Sequence, residues 1–308
     1  MATSGPSDHT AFRRALRRNA AKLARPLPWI DADPWAVLVS EVMLQQTQTS
    51  RVIDPWTRFL AAFPTPAACA EAPLSDVLRL WGGLGYHRRA KALHDAAKMI
   101  RDEFDGAVPS EVANLRRLPG IGEYSANAVG SFAFGRAVAV VDTNVGRVLA
   151  RAIANRTLSV REARLEASQL LPRTDVASFN QALLDLGSQF CTSAPRCALC
   201  PVARVCKWNR DGGEDPAPRS AGVSRAQATF RGSNREARGR VIAALRERPR
   251  SMQHLSACVA MDADRGAALI AGLVADGLIE RRGRRVYLSG EQGSVRSAPA
   301  TSSVTSTS

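Results

Sequence analysis

The chain has 308 residues, enough for two ordinary domains, and 45% of them are apolar, so a substantial core can form. Lys and Arg outnumber Asp and Glu by 42 to 28, a formal charge of +14. That balance favours a polyanionic partner, nucleic acid before an acidic membrane surface, although a GC-rich genome whose codons favour Arg and Ala produces the same excess. No apolar run approaches the roughly 20 residues needed to cross a bilayer. The N-terminal Met-Ala-Thr-Ser-Gly-Pro lacks the basic and apolar stretches of a signal peptide, so a cytoplasmic location is expected.

Residues 1–10 are polar and are expected to be disordered. From Ala11 to about Trp208, apolar residues recur at helical spacing with breaks at Pro and Gly, and alternating strand-like runs are almost absent. The expected helices cover 11–24, 34–48, 52–63, 74–81, 87–103, 111–117, 123–134, 143–154, 161–170 and 178–189, an all-α domain over 11–208. Residues 209–228 have linker composition. Three helices follow, at Glu236–Arg246, Met252–Val259 and Asp262–Asp276, the last stopped by Gly277. Two short strands around a glycine then fill Leu278–Leu288. Three helices and a basic hairpin suit a small winged-helix-like α+β module over 229–289, and a small helical packing domain is the plainer alternative. The Ser- and Thr-rich residues 290–308 are expected to be a disordered tail. No dimer seam is visible, so a monomer is expected.

Four groups of residues carry chemistry. Glu41 falls on a helix with Val37, Leu38, Leu44 and Gln45 one turn away. A carboxyl on that mostly apolar face is desolvated, its pKa rises, and it suits a general acid; a Glu turned to solvent or paired with Arg is the bland alternative. Leu118-Pro119-Gly120-Ile121-Gly122 joins two helices, and its glycines let the backbone turn and leave amides uncovered to hold a phosphate. An ordinary helix–turn–helix connection has the same pattern. Asp142 follows the apolar run Val138–Val141 and opens a helix, where Asp commonly serves as N-cap. Cys69 and Cys258 stand alone, whereas Cys191, Cys197, Cys200 and Cys206 follow C-x5-C-x2-C-x5-C. Thiols so crowded in a reducing compartment hold a metal more often than disulfides. The spacing suits Zn²⁺ or a [4Fe–4S] cluster without choosing between them. Arg196, Arg204 and Lys207 add positive charge that suits docking on phosphate.

The order of Leu118–Gly122, then Val140-Val141-Asp142-Thr143-Asn144-Val145, then four cysteines resembles the endonuclease III-like helix-hairpin-helix DNA glycosylases with an iron–sulfur loop. Ser40-Glu41-Val42-Met43-Leu44-Gln45-Gln46-Thr47 is similar to the MutY-type adenine DNA glycosylases in particular. Gly83-Leu84-Gly85-Tyr86 and Phe179-Asn180-Gln181-Ala182 add to a match over roughly residues 20–208. The resemblance implies two helical subdomains with a cleft between them, and a [4Fe–4S] cluster on Cys191, Cys197, Cys200 and Cys206. It implies a base-excision-repair enzyme of the bacterial cytoplasm, at the nucleoid, acting on double-stranded DNA. The bond cleaved would be the N-glycosidic bond of an adenine mispaired with 8-oxoguanine or guanine, flipped out of the helix.

Glu41 would then protonate the purine, and Asp142 would stabilise the positively charged sugar. Tyr124 stands where strand-nicking relatives have a Schiff-base Lys, which implies base removal without efficient strand cleavage. Its own role is a hydrogen bond in the pocket or plain packing. Gln45, Gln46, Thr47 and Tyr86 resemble residues that enter the stack or face the bases. Leu118, Gly120, Gly122 and Asn144 belong to the motifs that meet DNA, and Gln181 either touches the adenine edge or lies on a helix surface.

Two other readings share these features: a glycosylase of the same fold for T·G mispairs or oxidised pyrimidines, and a non-catalytic metal-containing DNA-binding regulator. The Glu41 motif and Tyr124 argue against the first, and the pairing of Glu41 with Asp142 against the second. Three departures from the family stand out. Five residues separate Cys191 from Cys197 where the family has six, and Ile30 follows Trp29 where many relatives are polar or basic. The C-terminal module replaces a domain resembling nucleotide hydrolases that reads 8-oxoguanine, and Phe230–Arg235 is a candidate to lie across the DNA in its place.

Overall fold

The computed structural model describes residues 6–220, 230–259 and 263–291. The expectations for residues 1–5, 221–228, Asp262 and 292–308 lie outside the described residues. Helices run in the order α1 (Pro6–Leu23), α2 (Pro34–Leu44), α3 (Ile53–Ala62), α4 (Pro66–Glu71), α5 (Leu74–Trp81), α6 (Arg88–Glu103), α7 (Val112–Leu115) and α8 (Glu123–Phe134). Then come α9 (Thr143–Val148), continued by a π-helical turn at Leu149–Ala154, α10 (Val160–Leu170), α11 (Val176–Gln189) and α12 (Lys207–Asp211). The C-terminal part adds α13 (Asn234–Glu247), β1 (Arg250–Ser251), α14 (Met252–Val259), α15 (Ala263–Ala275), β2 (Ile279–Arg282) and β3 (Arg285–Leu288). No helix among the described residues is long and apolar enough to cross a membrane.

α2 is the central helix. Pro34 presets its first turn, and Asp33 accepts from the amides of Trp35 (2.9 Å) and Ala36 (3.1 Å). Every residue from Trp35 to Met43 is buried, as expected of a helix apolar all round. The apolar periodicity predicts a helix to residue 48, but it ends at Leu44, and Gln46 takes a left-handed φ of 55°. The cause is Arg89, whose guanidinium donates to the carbonyls of Val42 (3.0 Å), Met43 (2.9 Å) and Gln45. These are carbonyls that a finished helix leaves open, and one half-buried cation satisfies them. α4 is not among the expected helices, although Thr65 accepts from Ala68 N at 3.1 Å and Pro66 follows it, a recognisable start signal.

The buried apolar residues form two clusters. The first draws on α2 to α6 and α8, for example Leu38, Phe59, Leu78 and Leu93. It continues without a break into the C-terminal module through Val241, Leu245, Leu273 and Val286. The second joins α1 to α9–α11 and the cysteine loop, through Phe12, Leu16, Val145, Leu149, Leu183 and Val202. α8 serves both, with Ala126 and Val129 facing the first cluster and Ala128 the second. The N-terminal helix therefore belongs with the later half of the chain, where Arg13 donates to Leu170 O (2.9 Å) and His9 meets Glu166 (3.0 Å).

The C-terminal strands form an antiparallel sheet in the order β1-β3-β2, with Ile279 opposite Leu288 and Arg282 opposite Arg285. The hairpin turns at Gly283, with φ at 59°. Asp276 accepts from Arg88 (2.7 Å) and Arg238, and Arg79 donates to Glu291 (2.6 Å), tying the module to α5 and α6.

α9 and α11 cross at their closest at Gly187, where an added Cβ would lie 2.6 Å from Asn144 O. Neither partner can yield without moving backbone. Gly187→Ala should therefore lower stability by about 2–3 kcal/mol and the melting temperature by about 5 °C in calorimetry; an unchanged Tm would show the crossing to be looser than described.

Candidate functional site

A cleft of about 700 Å³ opens between the two subdomains, a size typical of a small-ligand site. α2 supplies Glu41, the first turn of α8 supplies Tyr124, and the start of α9 supplies Asp142 and Asn144. Gln181 on α11 and the Gln45–Thr47 loop complete the set of sequence-predicted residues that line it.

Glu41 is buried, with 6% of its surface exposed. Burial first, and the neighbouring Asp142 second, push its pKa from 4.5 up to about 8. Glu41 is thus a neutral acid at pH 7. Asp142 is the N-cap of α9, its Oδ1 accepting from Val145 N and its Oδ2 from Asn144 Nδ2, each at 2.8 Å. Burial raises the Asp142 carboxyl as well, but the hydrogen bonds of Val145 and Asn144 and the charge of Arg147 oppose that rise and favour the carboxylate. Two carboxyls in one cleft are therefore supported differently, one by apolar walls and one by donors.

A relay orients Asp142 from behind. Asn144 Oδ1 accepts from Arg147 (2.5 Å), and Arg147 donates onward to Gly187 O (3.1 Å) and to Cys191 O (2.7 Å). The Tyr124 phenol is held protonated, raised by burial first and then by Glu41 and Asp142, although 36% of the residue is open to solvent. It lines the same cleft as the two acids.

The remaining sequence candidates stand around this centre. Gln45 Nε2 donates to Gly120 O (3.1 Å) and Ser125 Oγ (3.2 Å), which couples the loop after α2 to the hairpin before α8. Gly120 takes φ 77°, and a Cβ there would lie 2.7 Å from the Ala92 Cβ, so the glycine is required by both conformation and space. Gly122 is the N-cap of α8 and caps no amide with a side chain, leaving the helix N–H groups available. Leu118 requires a correction: it is 2% exposed in the first core cluster, so its side chain is structural and cannot meet DNA. Tyr86 does not line the cleft. Its ring lies between the guanidiniums of Arg89 (5.2 Å) and Arg235 (5.3 Å).

Sequence reasoning missed two cleft residues. Asp185 is 1% exposed, and its Oδ1 accepts from Arg25 Nε (2.6 Å) and Gln181 Nε2 (2.9 Å). Its Oδ2 is buried without a hydrogen-bond partner among the described residues. Gln181 is thus not a free helix-surface amide. The signal was an Asp four residues after Gln181 in the otherwise apolar Leu183-Leu184-Asp185-Leu186.

The four clustered cysteines line one small cavity against Arg151, and none forms a disulfide. The shorter spacing between Cys191 and Cys197 does not keep either from this cavity. Arg151 is 1% exposed and donates to Cys191 Sγ (3.4 Å), Thr192 O (2.7 Å) and both oxygens of Asp215 (2.8 and 2.6 Å). Burial raises the thiols of Cys191, Cys206 and Cys200, the last to about 11, and the proximity of the other sulfurs raises each further.

A folded-state pKa above the unfolded value means that the contribution of Glu41 to stability is largest below pH 4.5 and is lost as pH rises to about 8. Glu41→Gln, which cannot ionise, should thus gain on the wild type as pH rises. The advantage should be near zero at pH 4 and about 3 kcal/mol at pH 7 in urea unfolding. A difference constant with pH would mean that Glu41 titrates normally.

Comparison with known proteins places this architecture. Residues 39–173 match the description "HhH-GPD superfamily base excision DNA repair protein". The adenine DNA glycosylase of Mycolicibacterium smegmatis is 40% identical over 281 residues, covering 87% of this chain and 92% of that protein. The human adenine DNA glycosylase is 40% identical over 214 residues, 64% of this chain and 39% of its own length. Among solved structures, a thermostable thymine-DNA glycosylase has a TM-score of 0.61 at 24% identity, covering 67% of this chain and 98% of that one. A trapped endonuclease III–DNA covalent intermediate scores 0.53 at 24% identity, covering 65% and 97%. These two share the fold.

Proposed function

The chain belongs to the adenine DNA glycosylase family of HhH-GPD base excision DNA repair proteins, and from that premise we propose that it hydrolyses the N-glycosidic bond of adenine opposite 8-oxoguanine or guanine in duplex DNA. The observation that carries this reading is the pairing of a neutral Glu41 with a donor-supported Asp142 in one cleft of nucleoside size.

The extruded adenosine enters the cleft. Glu41 donates its proton to a ring nitrogen of the purine, and the electrons of the glycosidic bond leave with the base. The sugar becomes an oxocarbenium-like cation, which the Asp142 carboxylate stabilises. Water adds to C1′, and the proton it loses restores the acid. Tyr124 donates its hydroxyl hydrogen bond within this site. No Lys amine stands at position 124 to form a Schiff base, so the enzyme acts as a monofunctional glycosylase.

Asp185 and Gln181 suit adenine. Asp185 anchors Gln181 and Arg25 at the cleft wall, where their remaining N–H groups are donors toward a ring nitrogen of the base. Gln45, Gln46, Thr47 and Asn144 act at the cleft mouth on the DNA, Tyr86 beside it, and the backbone around Gly120 and Gly122 holds phosphate.

The residues fit a [4Fe–4S] cluster held by Cys191, Cys197, Cys200 and Cys206. All four thiols line one cavity, three of them half-buried and Cys206 buried, a compact all-sulfur donor set. When bound, the cluster supplies positive charge that converts the thiols to thiolates and fixes the loop. The protein works as a monomer on chromosomal DNA, in the cytoplasm at the nucleoid.

Single-turnover assays on duplexes with adenine opposite 8-oxoguanine or guanine should show adenine release, with strand breaks only after alkali. Glu41→Gln should lower the rate about a thousandfold, and wild-type rates should fall as pH rises through about 8. Near-normal release by the Gln variant would refute the acid, and a borohydride-trapped adduct would refute the monofunctional assignment. The purified protein should also show the broad visible absorbance of a [4Fe–4S] cluster, and stoichiometric zinc with no such absorbance would overturn the cofactor.

A further inference from the structure

Outside the cleft, rings and guanidiniums alternate in a stack that crosses from the first subdomain into the C-terminal module. It begins at the fully buried Trp81, with Arg89 5.4 Å from the ring centre. Arg89 lies 5.2 Å from the Tyr86 ring, and Arg235 lies 5.3 Å from its centre. Arg235 is in turn 5.0 Å from Phe230. All four distances fall within cation–π range. The last ring, Phe230, is 53% exposed.

A single exposed aromatic means little by itself. Phe230 differs in being fixed and in being connected. Its carbonyl accepts from Ser233 N (3.1 Å) and Ser233 Oγ (2.6 Å), and Gly232 N donates to Glu236 Oε2 at 2.6 Å. The turn is thereby locked to the start of α13, which Ser233 caps. Its neighbour Arg235 donates to the Tyr86 hydroxyl at 2.5 Å. Tyr86 holds a left-handed φ of 50°, which side-chain-bearing residues rarely take. Arg89 then ties the stack to the cleft rim, donating to Thr47 Oγ1 (3.1 Å) and to the Gln45 carbonyl.

Resting on the glycosylase reading above, we propose that Phe230 and Arg235 form a nucleobase-stacking site for the base of the intact strand that loses its partner when adenine enters the cleft. Extrusion leaves that base unpaired beside the rim residues. An exposed π-face offers it a sequence-tolerant surface, and the adjacent guanidinium suits its carbonyl edge and the nearby phosphates. The exposed Arg231 beside Phe230 adds charge complementary to DNA and opposes an apolar protein segment as occupant. The C-terminal module thus joins the substrate contact instead of serving only to support the fold.

The test measures binding of the full chain to duplexes carrying a non-hydrolysable adenosine analogue opposite 8-oxoguanine, guanine, or a tetrahydrofuran residue that has no base. Phe230→Ala should bind the two duplexes with a partner base about tenfold more weakly and the baseless one as the wild type does. Phe230→Leu, which keeps an apolar side chain without a ring, should behave like the Ala variant. Equal weakening on all three duplexes, unchanged binding on all three, or full rescue by Leu would each overturn the proposal. Wild-type protein is assayed in parallel on natural adenine duplexes. Absence of adenine release there defeats the glycosylase reading, whereas release with no effect at Phe230 defeats the stacking site alone.

Discussion

A carboxyl group withheld from water beside a second carboxyl is the constraint on which the rest of this structure depends. Raising Glu41 from 4.5 to about 8 means that ionising it in place costs about 5 kcal/mol more than in water. The burial of α2 from Trp35 to Met43 imposes most of that cost, and the neighbouring Asp142 adds to it. Asp142 lies in the same cleft and is raised by burial too, but it sits at the start of a helix, where amides and Asn144 oppose that rise. Two residues of nearly identical chemistry are thereby supported differently, one by apolar walls and the other by donors that oppose the rise burial brings.

Holding that arrangement requires support from distant parts of the chain. Arg89 ends α2 early, so that Gln45, Gln46 and Thr47 leave the helix and reach the cleft rim. Arg147 and Asn144 connect Asp142 to the carbonyl of Cys191, so the order of the cysteine loop bears on the direction of the carboxylate. The close crossing at Gly187 places α11, with Gln181 and Asp185, against the same strut. Local sequence choices such as one glycine and one arginine thereby set the geometry of the chemistry.

Much of this was legible in the sequence. Helical periodicity placed most of the helices, and the apolar neighbours of Glu41 predicted its raised pKa. The hairpin around Gly283 followed from local composition. What was not legible depended on contacts between residues far apart in the chain. The end of α2 is decided by Arg89, more than forty residues away. Asp185 looked like one polar residue in an apolar run until Arg25 was seen to face it. Leu118 carried the form of a DNA-binding motif while its side chain filled the core. The C-terminal module read as separate, yet its apolar residues continue the core of the first subdomain, a relation that no local pattern encodes.

The protonation state of Glu41 is most directly read by infrared titration, as the difference in carboxyl carbonyl absorbance between the wild type and the Glu41→Gln variant. A protonated carboxyl band that persists at pH 7 and disappears with a midpoint near 8 is the predicted result. A band already lost at neutral pH, with a midpoint near the ordinary 4.5, would contradict it.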